Sequence, residues 1–161
     1  MIKQFENGFL VDDNVSYPGN KTSQGFYSTQ DICNIFGVSM ETVQVWMRNG
    51  FLRPSHLVDW GKTKKSIFVR SHLLWIGVFK RMVDTGIKRS LAVIWANAFF
   101  NILKNEKRRF DYYELLIVEI SEKGVEQITL FRGDVHLKGN PNGNDLIVIN
   151  LKRIVNKIKD F

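Results

Sequence analysis

The sequence predicts an α+β protein: a winged helix-turn-helix over residues 26–109, followed by a small β-hairpin-containing α/β unit over 110–161. Three observations carry this. Two short amphipathic stretches meet at a tight Gly-Val-Ser turn in YSTQDICNIFGVSMETVQVWMRNGFL, residues 27–52. A Lys-rich, Gly-containing turn between two apolar runs follows. The final third then changes to β-branched and aromatic runs with turn signals between them.

Residues 1–25 read as an N-terminal extension, poorly structured or peripheral. Tyr17-Pro18-Gly19-Asn20 is a turn signal in polar surroundings, although Phe5, Phe9, Leu10 and Val11 could dock a short strand. Ser28 is a good N-cap, and Asp31 three residues on makes an Asp variant of the capping box. Ile32, Ile35 and Phe36 share one helical face, and Gly37 stands where a helix C-terminus tolerates positive φ. Ser39 caps the second helix, with Glu41 in its first turn complementing the helix dipole. There Val43, Trp46 and Met47 can face the core, which leaves Thr42, Gln44, Val45 and Arg48 on or near the outward side. In a helix-turn-helix the second helix enters the major groove, which makes these four the candidate base contacts. An ordinary helical hairpin in an unrelated core would show the same local signals.

After Arg53-Pro54, the segment HLVDWGKTKKSIFVR reads as a β-hairpin with its turn around Gly61 and a basic tip, a wing. Lysines on such a tip can neutralise phosphates beside the groove, as opposed to a surface loop that merely happens to be basic. Candidate phosphate contacts are Ser28, Arg53, Lys62, Lys64, Lys65 and Arg70. Ser71 can cap a third helix from His72 to about Asp84, with Leu73, Leu74, Ile76, Phe79, Met82 and Val83 as its apolar stripe. A fourth helix follows from about Arg89, its stripe running from Leu91 to Leu103 and fading at the charged run Lys104–Arg109. Tyr113–Ser121 and Val125–Phe131 form a hairpin turning at Glu122-Lys123-Gly124. Residues 139–144 are a loop by composition, Leu146–Ile149 adds a strand, and Asn150 caps a final helix bearing Leu151, Ile154, Val155 and Ile158. So small a unit buries little alone and should pack on the helical part or on a second copy.

Charge is unevenly spread. The net charge is +7, yet residues 26–110 carry 14 basic and 5 acidic side chains, a net of +9, while the segments on either side are each −1. A polyphosphate partner accounts for that concentration better than general solubility does, with a solvated basic face as the plainer alternative. Cys33 is the only cysteine, so an internal disulfide is excluded and a cysteine zinc site disfavoured; a buried structural thiol suits it. The N-terminus lacks a secretory pattern, and no apolar run approaches the roughly 18 residues of a membrane span. A cytoplasmic location and no membrane partner are expected.

With helix pair and wing together, residues 26–103 resemble the DNA-binding domain of the MerR family of bacterial transcription regulators. The matching elements are GVSMETVQVWMRNGFLRP, the basic wing ending in Ser66-Ile67-Phe68-Val69, the helix after it, and its close at Asp84-Thr85-Gly86-Ile87 before Ser90-Leu91. The resemblance implies that the helix from Met40 to Asn49 reads the major groove while the wing grips the flanking backbone. Thr42, Gln44, Val45 and Arg48 fall on the family's DNA-facing stretch. Gln44 stands where the family usually has Arg, Val45 where it usually has an aromatic, and Ser66 where the wing usually has Arg. Because Gln can read adenine where Arg favours guanine, the target should differ from the family norm. The C-terminal part does not match: the family's long dimerising coiled coil and metal- or drug-sensing part have no counterpart in the pattern after Leu103.

The expected function is a sequence-specific double-stranded DNA-binding transcriptional regulator, a homodimer on an inverted repeat in a bacterial or phage setting. Dimerisation follows from the small contact that one winged unit makes. The alternative is an excisionase-like architectural protein that bends DNA or assists recombination. No cofactor, metal or catalytic residue is expected. His56, His72 and His136 lack metal spacing and read as surface or satisfied polar residues, and Asp134-Val135-His136 is a weak signal by itself. The 12% aromatic content suits a core or a pocket alike, which leaves a small-molecule effector open.

Overall fold

A computed structural model of the chain describes residues 25–106, 112–121, 124–132 and 145–161. The expectations for residues 1–24, for the end of the charged run at 107–109, for the turn residues Glu122 and Lys123, and for Asp134, His136 and the loop at 139–144 lie outside them. Among the described residues the fold is α+β, with five helices and two three-stranded antiparallel sheets.

Strand β1 (Phe26–Ser28) leads directly into α1 (Thr29–Phe36). The capping box is present in both halves. Asp31 N–H donates to Ser28 Oγ at 3.3 Å, and Ser28 N–H donates to Asp31 Oδ2 at 2.6 Å. Gly37 ends α1 in the left-handed region at φ 63°, its N–H reaching Cys33 O. Ser39 caps α2 (Met40–Arg48) by accepting from Thr42 N–H at 3.1 Å. Strands β2 (His56–Trp60) and β3 (Thr63–Val69) then form the expected hairpin, with Gly61 at φ 63° in its turn. The first sheet has the order β1-β3-β2, with Phe26 opposite Val69 and Ser28 opposite Ile67.

Helix α3 (Arg70–Asp84) differs from expectation at its start. It begins at Arg70, straight off β3, so Ser71 lies inside the first turn and makes no cap; the N-cap is Val69, with no side-chain cap bond. Ser55, buried on the chain leading into β2, accepts the Val69 N–H at 3.0 Å instead. The helix also has more than an apolar stripe. Every residue from His72 to Phe79 is buried, because helices α1, α4 (Arg89–Asn105) and α5 (Leu151–Lys159) close around it. A helical stretch hydrophobic all round is a buried one, and here only His72 interrupts the apolar run, with the charged residues kept to the two ends of α3.

In the second sheet β4 (Leu115–Ser121) is central, between β5 (Gly124–Phe131) and β6 (Asp145–Asn150). Leu116 lies opposite Leu130 on one side and Ile149 on the other, and a register shift falls between Glu119 and Ile120. Asn150 caps α5 as expected, accepting from Arg153 N–H at 2.8 Å. Leu151 N–H donates to Glu114 O at 2.8 Å, pinning the start of α5 to the entrance of β4. Leu116, Val118, Ile149, Leu151, Ile154, Val155 and Ile158 are continuous with Ile32, Trp46, Leu74 and Phe79 in one buried apolar cluster.

Gly77 marks where α5 crosses α3. A Cβ added there would run into Ile154 Cγ2 and sit 3.0 Å from Phe36 Cε1. Alanine favours a helix interior by about 1 kcal/mol over glycine. Gly77→Ala is nonetheless expected to lower stability, because overpacking a tight crossing costs about 1–3 kcal/mol. An unchanged or raised urea midpoint would show that α5 gives way freely.

Candidate nucleic-acid interface

The pair α1–α2 is held from behind. Val43 is fully buried and Trp46 is 3% exposed, and the Trp46 ring meets Phe79 of α3 edge-on at 5.2 Å. Cys33 is buried on the inner side of α1, and burial pushes its thiol pKa above the ordinary value. With the inner face of α2 fixed, Glu41, Gln44 and Arg48 are exposed on its outer side, spaced by three and four residues as one helical face requires. The other two candidate base contacts are half-buried. Val45 lies at the edge of this face, and Thr42 hydrogen-bonds Ser39 through its hydroxyl at 2.9 Å.

The basic hairpin is tied to the helix pair through the first sheet. Lys62 and Lys64 are exposed at its tip, and Lys65, opposite Val58, is half-buried. Asp59 faces Lys64 across the ladder, so the tip is basic but not uniformly so. Ser28, Arg53 and Arg70 lie toward the other end of the hairpin, near the base of the sheet, and all three are half-buried. Both the hydroxyl and the amide of Ser28 are engaged by Asp31, the Oγ donating to Oδ2 at 2.8 Å. The ten candidates therefore form three groups. One lies along α2, one at the hairpin tip and one at the hairpin base.

Two features had no counterpart in the sequence reading. Ser55 Oγ, besides accepting from Val69, lies 2.8 Å from His72 Nδ1 in a buried polar pair, and His56 is close enough to act on His72 electrostatically. Burial first, and the His56 charge second, lower the His72 pKa to about 4. His72 is thus buried rather than on the surface, and only half satisfied: Nδ1 meets Ser55, while Nε2 is buried without a hydrogen-bond partner among the described residues. The other feature is a cleft between α3 and α5 rimmed by Lys80, Arg81, Arg153 and Lys157. Its cations come from two segments far apart in sequence, so only a correct tertiary prediction would have grouped them.

Among the described residues, no group of three or more His, Cys, Asp or Glu side chains could hold a metal ion. None of their helices is long and apolar enough to cross a membrane. No protein-family model matches the chain, and no curated protein shows significant similarity to it.

Proposed function

We propose that the chain is a sequence-specific double-stranded DNA-binding regulator that acts as a homodimer on an inverted repeat. The observation that carries this is the exposed Gln44–Arg48 face of α2, backed by the buried Val43–Trp46 face. A reading helix needs such backing, since base contacts discriminate only when the side chains are held in register. The excess positive charge in the same segment and the lysines of the hairpin tip support the reading by supplying phosphate contacts. Gln44, with an amide able to bond adenine at N6 and N7, is the chief base reader; Arg48 favours guanine. Of the two half-buried candidates, Val45 contributes apolar contact to a thymine methyl and Thr42 supports the helix start.

A second reading, an architectural DNA-bending protein, is favoured by the modest helix lengths. The longest described helix, α4, has 17 residues and α5 has nine, short for a dimerising coiled-coil arm. Marked bending with cooperative filling of adjacent sites would support it.

Selection of duplexes from a random pool, followed by salt titration of the winner, tests the first reading. An inverted repeat bound about a thousandfold over random DNA is expected. If the dimer neutralises about eight phosphates, log affinity should fall against log salt with a slope near −7. Gln44→Ala should relax base choice at one position of each half-site, erasing about 1–3 kcal/mol of discrimination. Lys64→Ala should weaken binding to every duplex and reduce the salt slope by about 1 per protomer. Identical behaviour of the two variants on all sequences would refute this division of roles.

A further inference from the structure

We infer that the cleft between α3 and α5 is a binding site for a small organic anion, a phosphate or carboxylate carrying one apolar ring. Its floor is apolar: Phe36 and Ile154, both buried, close over Gly77, and Val148 lines one side. Its rim is cationic, with Lys80 and Arg81 on α3 and Arg153 and Lys157 on α5. The one carboxylate lining it, Asp84, is paired with Lys80 at 2.6 Å. Arg81, Arg153 and Lys157 have no carboxylate in ion-pair reach among the described residues. Gathering unneutralised cations around one concavity is unfavourable for the folded chain by itself, and a bound anion removes that repulsion. Two guanidinium groups and an ammonium around one mouth match the several acceptor oxygens of a phosphate or carboxylate.

Size restricts the apolar part. The whole cleft, open mouth included, measures about 190 Å³, below the roughly 300–1,000 Å³ of pockets for drug-sized ligands, so its apolar part has room for one ring at most. A single ring fills the floor while its anionic group stays at the rim. The floor also adjoins the helix pair: Phe36 is the last residue of α1, and Gly37 beside it sets the turn into α2. A ligand pressed on Phe36 therefore bears on the orientation of the exposed Gln44–Arg48 face.

The test is titration of the full chain with phenyl phosphate, followed by amide chemical shifts, with inorganic phosphate in parallel. Saturable one-to-one binding is expected, with shifts centred on Gly77 and Ile154 and with inorganic phosphate binding about tenfold more weakly for want of the ring. Arg153→Ala combined with Lys157→Ala changes two exposed helix positions and should keep the melting temperature while weakening phenyl phosphate about tenfold or more. No saturation at millimolar concentration would overturn the proposal. So would equal affinity for the two anions, or undiminished binding by the double variant. Loss of duplex affinity in that variant would also overturn it, by assigning these cations to DNA. The phenyl phosphate titration contains no DNA, so its outcome is independent of the regulator reading.

Discussion

Phe79→Ala is expected to destabilise the protein by about 3–5 kcal/mol, the usual cost of emptying a large aromatic site in a closed core. Phe79 has no exposed surface, and its ring lies between two tryptophans. It stacks on Trp75 with an interplanar angle of 9° and meets Trp46 edge-on at 89°, both at centroid distances of 5.2 Å. Each such pair adds about 0.5–1.5 kcal/mol beyond area burial, which puts the expected loss toward the top of the range. Trp46 belongs to α2 and Trp75 to α3, so the cavity would open between the candidate reading helix and the body that supports it. A domain with about 5–15 kcal/mol of stability would lose a large share of it. Urea unfolding followed by tryptophan emission measures the effect directly, because two of the reporters flank the substitution. A loss below about 1 kcal/mol would contradict the closed packing described for this layer. Phe79→Leu, which fills part of the space, should fall between wild type and alanine.

The second large effect is a dependence on pH. In the folded chain His72 is buried and its pKa is lowered to about 4, against 6.5 for an ordinary histidine. Between those values the unfolded chain binds a proton that the folded chain refuses, so stability rises with pH across the interval. The contribution is complete above about pH 6.5 and is lost progressively as pH falls toward 4, by about 3 kcal/mol in all. The informative quantity is the difference from a variant that cannot titrate at this position. His72→Gln retains a polar group that can reach Ser55 but cannot titrate. Its stability should lack the component between pH 6.5 and 4 seen in wild type. Parallel curves for the two proteins from urea unfolding at each pH would show that His72 takes up its proton as readily folded as unfolded.

What could be read from the sequence was what local chemistry determines. Both ends of α1 follow from Ser28, Asp31 and Gly37, the start of α2 from Ser39, the hairpin turn from Gly61 and the start of α5 from Asn150. Each of these is decided by a side chain acting within a few residues of itself. The misses have the opposite character. Strand β1 is three residues long, too short to show an alternation, and exists because β3 offers Ile67–Val69 as an edge. The start of α3 went to Ser71 because the group that meets the Val69 amide, Ser55, is 14 residues upstream and comes into reach only when the hairpin folds back. His72 gave no sign of its altered pKa for the same reason, since Ser55 and His56 reach it through the fold. For the site, the exposure of Gln44 and Arg48 was legible from helical spacing, whereas the covering of Thr42 and Val45 depends on neighbours that spacing does not reveal.

The burial of the His72–Phe79 stretch of α3 has a consequence for biosynthesis. Its cover includes α5, which leaves the ribosome roughly 70 residues after α3 does. At a synthesis rate of about 5–20 residues per second, α3 waits several seconds with Gly77 bare on the side where Ile154 will sit. During that interval the α1–α2 pair has only part of its support, so a nascent chain cannot yet present a firm outer face. Substitutions in α5, though remote in sequence from α3, should set how much of each newly made chain reaches the packed state in which α3 is covered.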